Sequence, residues 1–151
     1  ASPDISRAIE ERASTITERV QALHWLQDNG YRTFGMICPV LPSEVDCVNQ
    51  LLDQVRPERC EGVWIEAVNV RGKSLANTHK KLMDAGLENH AEELKRVMGD
   101  KDAWIEYTKR LFLGFQADLQ RRGLLNRMHF LQYVSRNDKA FFEKQPGAVC
   151  L

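Results

Sequence analysis

Four cysteines could supply thiolates to a metal or cluster: Cys38, Cys47, Cys60 and Cys150. An iron–sulfur site needs several thiolates held close together, most simply on one short loop. Cys38 and Cys47 lie nine residues apart, and no CxxC or CxxxCxxC spacing occurs. The chain is therefore expected to hold no cluster and no metal by itself. Each cysteine reads equally as a small core hydrophobe. His24, His79, His90 and His129 form no HxxxH or HExxH pair, which removes that zinc-hydrolase pattern. Gly72-Lys73-Ser74 matches the end of a phosphate-binding loop, but the upstream GxxxxG is missing.

Glu66 is the most informative single side chain. It interrupts the apolar run Gly62-Val63-Trp64-Ile65-Glu66-Ala67-Val68-Asn69-Val70. A carboxylate in such a strand must be paired or face a cavity. Arg71 is the nearby candidate partner, and Asn69 either holds the same loop or faces a ligand. Near the C-terminus, Arg121, Arg122, Arg127, Arg136 and Lys139 form a loose basic cluster. It could meet nucleic-acid phosphates, or it is a solvated helix end whose cations suit the helix dipole.

These residues need elements to position them. Thr15-Ile16-Thr17-Glu18 reads as a capping box opening a helix that Asn29-Gly30 ends. Thr33 to Cys38 is a near-continuous apolar strand, stopped by Pro39 and Pro42. Ser43 is expected to cap a second helix, with Val45, Val48, Leu51, Leu52 and Val55 on one face. The strand at 62–70 follows, which makes a parallel βαβ unit with a right-handed crossover. After the loop Arg71–Ser74, the spacing predicts helices over 75–85 and 87–98. Asp100 caps a long helix that Gly123 closes. Met128 to Val134 is a third strand, and the tail through Cys150 reads as irregular.

The chain has 151 residues, 43% of them hydrophobic and 28% charged, with zero net charge. Such a balance gives no general reason to expect nucleic acid or a membrane surface as partner. Low cysteine content suits a reducing setting, so a cytoplasmic location is expected. The chain opens on Ala1 rather than Met, which raises the expectation of a piece of a longer protein.

Several segments carry a resemblance. They are Arg7-Ala8-Ile9-Glu10, the helix end Asp28-Asn29-Gly30, Met36-Ile37-Cys38-Pro39-Val40-Leu41-Pro42, and Val63 to Gly72. In order and spacing they resemble the radical S-adenosylmethionine proteins grouped with spore photoproduct lyase and the DNA-repair photolyase-like group. Glu11 and Ala67 stand where that family usually has proline. The family's CxxxCxxC loop and first several strands have no counterpart in this sequence.

The resemblance implies an α/β fold: a partial, half TIM-type barrel with a parallel βαβ unit and a helical C-terminal extension. Residues 1–74 would be the second half of the barrel. Residues 75–151 would be a helix-rich extension with one terminal strand. It also implies a parent enzyme in which a 4Fe–4S cluster cleaves S-adenosylmethionine to a 5′-deoxyadenosyl radical. This chain alone would be inactive and would line the cofactor and substrate cavity. Glu10, Ile37, Pro39, Val40, Glu66, Asn69 and Arg71 are the cofactor-contacting residues so implied. Ile37 and Val40 would pack the adenine unless they are plain core, and Glu10 is otherwise a solvated charge. The expected partners are the missing N-terminal half or, for a stand-alone α/β interaction module, a second copy paired through an open sheet edge. Nucleic acid is the third and weakest.

Overall fold

The computed structural model describes residues 2–133 and 138–150. Helix α1 (Pro3–Ile9) and helix α2 (Ile16–Asp28) lead into strand β1 (Phe34–Val40). Helix α3 (Val48–Val55) precedes β2 (Gly62–Ala67). Three helices follow: α4 (Gly72–Asp84), α5 (Glu88–Gly99) and α6 (Lys101–Arg121). Strand β3 (Met128–Gln132), helix α7 (Lys139–Phe142) and strand β4 (Ala148–Cys150) complete the described elements.

The strands form one sheet in the order β1-β2-β3-β4, and every pair is parallel. The α/β expectation and the parallel βαβ unit hold. The segment 75–151 contributes two strands rather than one terminal strand, and its tail, expected to be irregular, carries α7 and β4. Val134, the expected end of the third strand, lies outside the described residues.

Local chemistry explains the boundaries. Thr15 and Glu18 form the capping box: Thr15 Oγ1 accepts from the Glu18 N–H at 3.2 Å, and Glu18 Oε2 accepts from the Thr15 N–H at 2.8 Å. Gly30, at φ +78°, turns the chain out of α2. Asp100 caps α6 through Ala103 N–H at 2.8 Å. Ser2 also caps: its Oγ accepts from the Ile5 N–H of α1 at 3.4 Å. Ser43 does not cap a helix. Its hydroxyl lies 2.7 Å from His90 Nδ1, and Pro42–Cys47 winds as a 3₁₀ turn before α3 begins. The segment expected to be a loop at Arg71–Ser74 is instead the start of α4 from Gly72.

Strand alternation sorts the sheet into two faces. Ile37, Val63, Ile65, Met128 and Phe130 face the helices and are buried. Phe112 of α6 meets Phe130 edge-on at 5.2 Å, and Phe142 of α7 stacks on Phe130 at 5.8 Å. Leu111, Phe115 and Leu119 complete the α6 stripe, all fully buried. Phe34, Met36 and Cys38 occupy the opposite face of β1 and are exposed. Trp64 and Glu66 of β2, and His129 and Leu131 of β3, share that face and are half-buried.

Candidate functional site

Two places gather the residues that sequence singled out. The first is the uncovered sheet face near the carboxyl ends of the strands, where parallel α/β proteins place ligands. Met36 is 62% exposed and its neighbour Ile37 only 6%. One residue of register thus decides which side chain a ligand on this face could meet. Trp64 and His129 stack across β2 and β3, with centroids 4.5 Å apart and planes 15° apart. Gly62 makes that possible, because a Cβ there would lie 3.0 Å from the His129 ring.

Glu66 lies at the end of this row. The Tyr133 phenol beside it has its pKa raised, first by its hydrogen bond to the Glu66 carboxylate and then by that group's charge. Cys38, on the neighbouring strand, also lies within the field of Glu66. Cys38 is exposed as a residue, yet its sulfur sits 3.9 Å from the Trp64 carbonyl. Burial of the sulfur, then the Glu66 charge, pushes its thiol up to about 12. That thiol is protonated at neutral pH. A thiol from β1, a carboxylate from β2 and a phenol just past the end of β3 therefore converge without a basic partner among the described residues. They can donate and accept hydrogen bonds toward a ligand on this face.

Arg71 does not pair with Glu66. Its Nη1 donates to the Met98 carbonyl at 3.0 Å, and its guanidinium lies 4.9 Å above the Trp104 ring. It ties the start of α4 to the end of α5. Asn69 is exposed just past β2. Ile37 and Val40 point into the core, with Val40 fully buried.

The second place is a groove of about 350 Å³ beside β1, which Glu10, Ile37 and Pro39 help to line. Ile9, Ile16, Val20 and Leu23 form its helical wall. Glu10 accepts from Arg19 at 2.8 Å and from the Ser6 hydroxyl at 3.0 Å. The Arg19 hydrogen bond, helped by Ser6, lowers the Glu10 pKa against the opposing effect of burial. The structure thus brings Glu10, Ile37 and Pro39 together, and places Glu66 on the sheet face, with Asn69 and Arg71 beyond the end of β2.

Tyr107 of α6 locks the two carboxyl ends. Its hydroxyl donates to the Val40 carbonyl at 2.5 Å and accepts from the Val68 N–H at 2.9 Å. The Val68 N–H also reaches the Val40 carbonyl, at 3.1 Å. Burial raises the Tyr107 phenol well above its ordinary value. This clamp ends the β2 ladder at Ala67, three residues before the expected end. Nothing in the helical spacing of α6 marks Tyr107 out, since its role depends on two distant backbone groups.

The basic cluster is largely occupied. Arg121 and Arg122 pair with Asp118, and Arg122 also reaches Asp53 at 2.7 Å. Arg127 donates to the carbonyls of Pro57, Glu58 and Cys60. Lys139 meets Glu143 at 3.4 Å. Arg136 lies outside the described residues.

The four cysteines sit on separate elements. Burial also raises the Cys60 thiol, and Cys150 shifts the same way. This donor set does not fit a three-thiolate cluster, and no group of three or more potential ligands occurs among the described residues. No described helix is long and apolar enough to cross a membrane. No family model, curated protein or solved structure matches the chain.

Proposed function

We propose that this chain is the carboxyl-terminal half of a barrel-type radical S-adenosylmethionine protein, forming one wall of its cofactor and substrate cavity. The observation that carries the reading is the sheet itself. Its strands are all parallel and follow one another in sequence order, and its buried side is the one packed by α6 and α7. A doubly wound sheet reverses strand order at a switch point and buries both faces. A barrel wall keeps sequential order and turns its bare face inward. The bare face here carries the Trp64–His129 stack and the Cys38–Glu66–Tyr133 group.

In this reading the residues meeting ligand are those of the bare row. Met36 and Trp64 offer apolar contact to a ring, and Glu66 accepts a hydrogen bond. Ile37 and Val40 support that row from beneath. The cluster belongs to the absent half, because the thiols of this chain do not fit it. The test is anaerobic purification and reconstitution of the full-length parent. A 4Fe–4S absorption band with 5′-deoxyadenosine release is expected; a reconstituted parent showing neither sinks the reading.

A non-catalytic interaction module is the second reading, favoured by the one-sided pairing of β1 and by the exposure of Phe34 and Met36. Such an edge invites pairing with another copy. Sedimentation of this chain across a concentration series decides it: dimerisation is expected here, and a monomer throughout removes it.

A further inference from the structure

The bare face of the sheet divides into two rungs along its strands. The lower rung is apolar. Met36 of β1 is the register partner of Trp64 of β2, and Trp64 is the partner of His129 of β3. His129 covers one ring face of Trp64 at 4.5 Å. The other ring face turns toward β1, where Met36 is 62% exposed. A flat body entering there meets an indole face and a thioether, and both pack well against a ring.

The upper rung is polar and lies two residues farther along, about 7 Å toward the carboxyl ends of the strands. Glu66 stands at its centre, with Cys38 on the β1 side and Tyr133 past the end of β3. The thiol and the phenol both stay protonated at neutral pH and bring no charge of their own. Among the described residues, none of the four strands carries a lysine or an arginine. Arg71, the nearest cation along the chain, is turned away to the Met98 carbonyl. A half-buried carboxylate in such surroundings costs free energy that an incoming cation recovers.

This charge pattern selects among ligands. A phosphate or carboxylate group would meet Glu66 as a like charge. A metal ion is poorly served by one carboxylate beside a protonated thiol, and no group of three or more potential metal ligands occurs among the described residues. An ammonium group is well served. It brings only donors, and the Glu66 oxygens accept them. The Tyr133 oxygen, whose proton is given to Glu66, is a second acceptor beside them.

We propose that the bare face binds a small arylalkylamine, with its ring against Trp64 and Met36 and its ammonium donating to Glu66. The spacing of the two rungs sets the length, an ammonium two or three bonds from the ring. This names a substrate class for the ligand-facing wall described above. It rests on that wall and not on the radical chemistry.

Titration of this chain with phenethylammonium, followed by NMR at the Met36 methyl and the Trp64 indole N–H, tests the proposal. Saturable shifts at both groups are expected. The neutral 2-phenylethanol and the anionic 3-phenylpropionate should bind at least about 10-fold more weakly, as should the amine to Glu66→Gln, since hydrogen bonds to a charged group are at stake. Glu61→Gln, at the amino end of β2 where Glu61 pairs with Arg32, should leave binding unchanged. An absence of saturable shifts up to about 100-fold excess of amine over protein overturns the proposal. Equal binding of amine and alcohol, or equal losses in the two variants, also overturns it, because the ammonium–Glu66 contact then contributes nothing specific. Shifts produced by thymidine monophosphate in place of the amine assign the face to an anionic ligand, with the same consequence. Failure of the two readings is separable. Amine binding by this chain beside a parent that forms no cluster sinks the radical chemistry alone. A cluster-bearing parent whose carboxyl-terminal chain ignores the amine sinks the amine alone.

Discussion

The two faces of the sheet are built from the same strands, yet they do different work. Residues alternate between them one by one, so Met36 and Ile37, or Glu66 and Ile65, are neighbours in sequence and opposites in environment. The helix-covered face is a close-packed aromatic and aliphatic core. The bare face carries a ring stack, a carboxylate, a thiol and a phenol. Buried packing is thus concentrated on one side, and the aromatic stack and titratable groups lie on the other.

Substitutions can break this division. The largest effect is expected from Phe112→Ala, which removes a ring that meets Phe130, Phe141 and Phe142. Loss of about 3–5 kcal/mol in urea unfolding is expected for a buried phenylalanine. A loss below about 1 kcal/mol would show that the helix-covered face is not the core.

Ile37→Ser and Met36→Ser sharpen the contrast within two adjacent positions. Ile37→Ser should cost about 2–4 kcal/mol, from lost burial and a hydroxyl placed in the core. Met36→Ser should stay within about 0.5 kcal/mol, as exposed substitutions usually do. Equal costs would refute the assignment of faces.

Tyr107→Phe tests the clamp between them. Removing the hydroxyl leaves the Val68 N–H and Val40 carbonyl with only their mutual bond, so about 1–2 kcal/mol of stability is expected to go. The pH dependence has a definite sign. The buried phenol has a raised pKa in the folded state. Its neutral form is therefore no liability below the unfolded value of about 10, and stability is lost as pH rises above that. Unfolding of Tyr107→Phe should show a shallower decline above pH ~10 than wild type.

Glu66→Gln leaves stability nearly unchanged but should alter its neighbours. Tyr133 should titrate lower than in wild type in a difference-absorbance titration, because the main cause of its raised pKa is removed. The Cys38 thiol should also fall from about 12 while burial keeps it above its ordinary value. Unaltered titrations would separate Glu66 from the group assigned to it.

The smallest effect concerns Glu10 and Arg19, whose side chains are 37% and 45% exposed. Solvent screening limits such a pair to well under about 1 kcal/mol. Because the Glu10 pKa is lowered on folding, that contribution is present above the ordinary carboxylate range and lost as pH falls through the folded value. Glu10→Gln should be slightly less stable at pH 7, and the difference should vanish once acid protonates Glu10 in the folded state, measured by urea midpoints.

Much of the fold was legible because its signals are local. The Thr15–Glu18 capping box, the Asp100 cap and the apolar runs of β1 and β2 each depend on residues a few positions apart. The site was legible only in part. Glu66 stood out as a charge in an apolar strand. Its company did not, because Cys38 lies on β1, Glu66 on β2 and Tyr133 just past β3, and no short window contains the register that brings them together. Arg71 misled for the same reason: nearness in sequence suggested an ion pair, while α5 and α6 offered it the Met98 carbonyl and the Trp104 ring. Ser43 likewise had the residue type of a cap, but His90, from a helix far along the chain, holds its hydroxyl.

By itself, then, the sequence determined the alternation of helices and apolar strands, because helix caps, turns and side-chain periodicity are short-range properties of the backbone. Tertiary structure alone decided that the strands order themselves in sequence, that helices bury Ile37 while leaving Met36 bare, and that Tyr107 pins the ends of β1 and β2. Those outcomes depend on contacts between residues tens of positions apart, and the free energy of burial that selects them exists only once the chain has closed on itself.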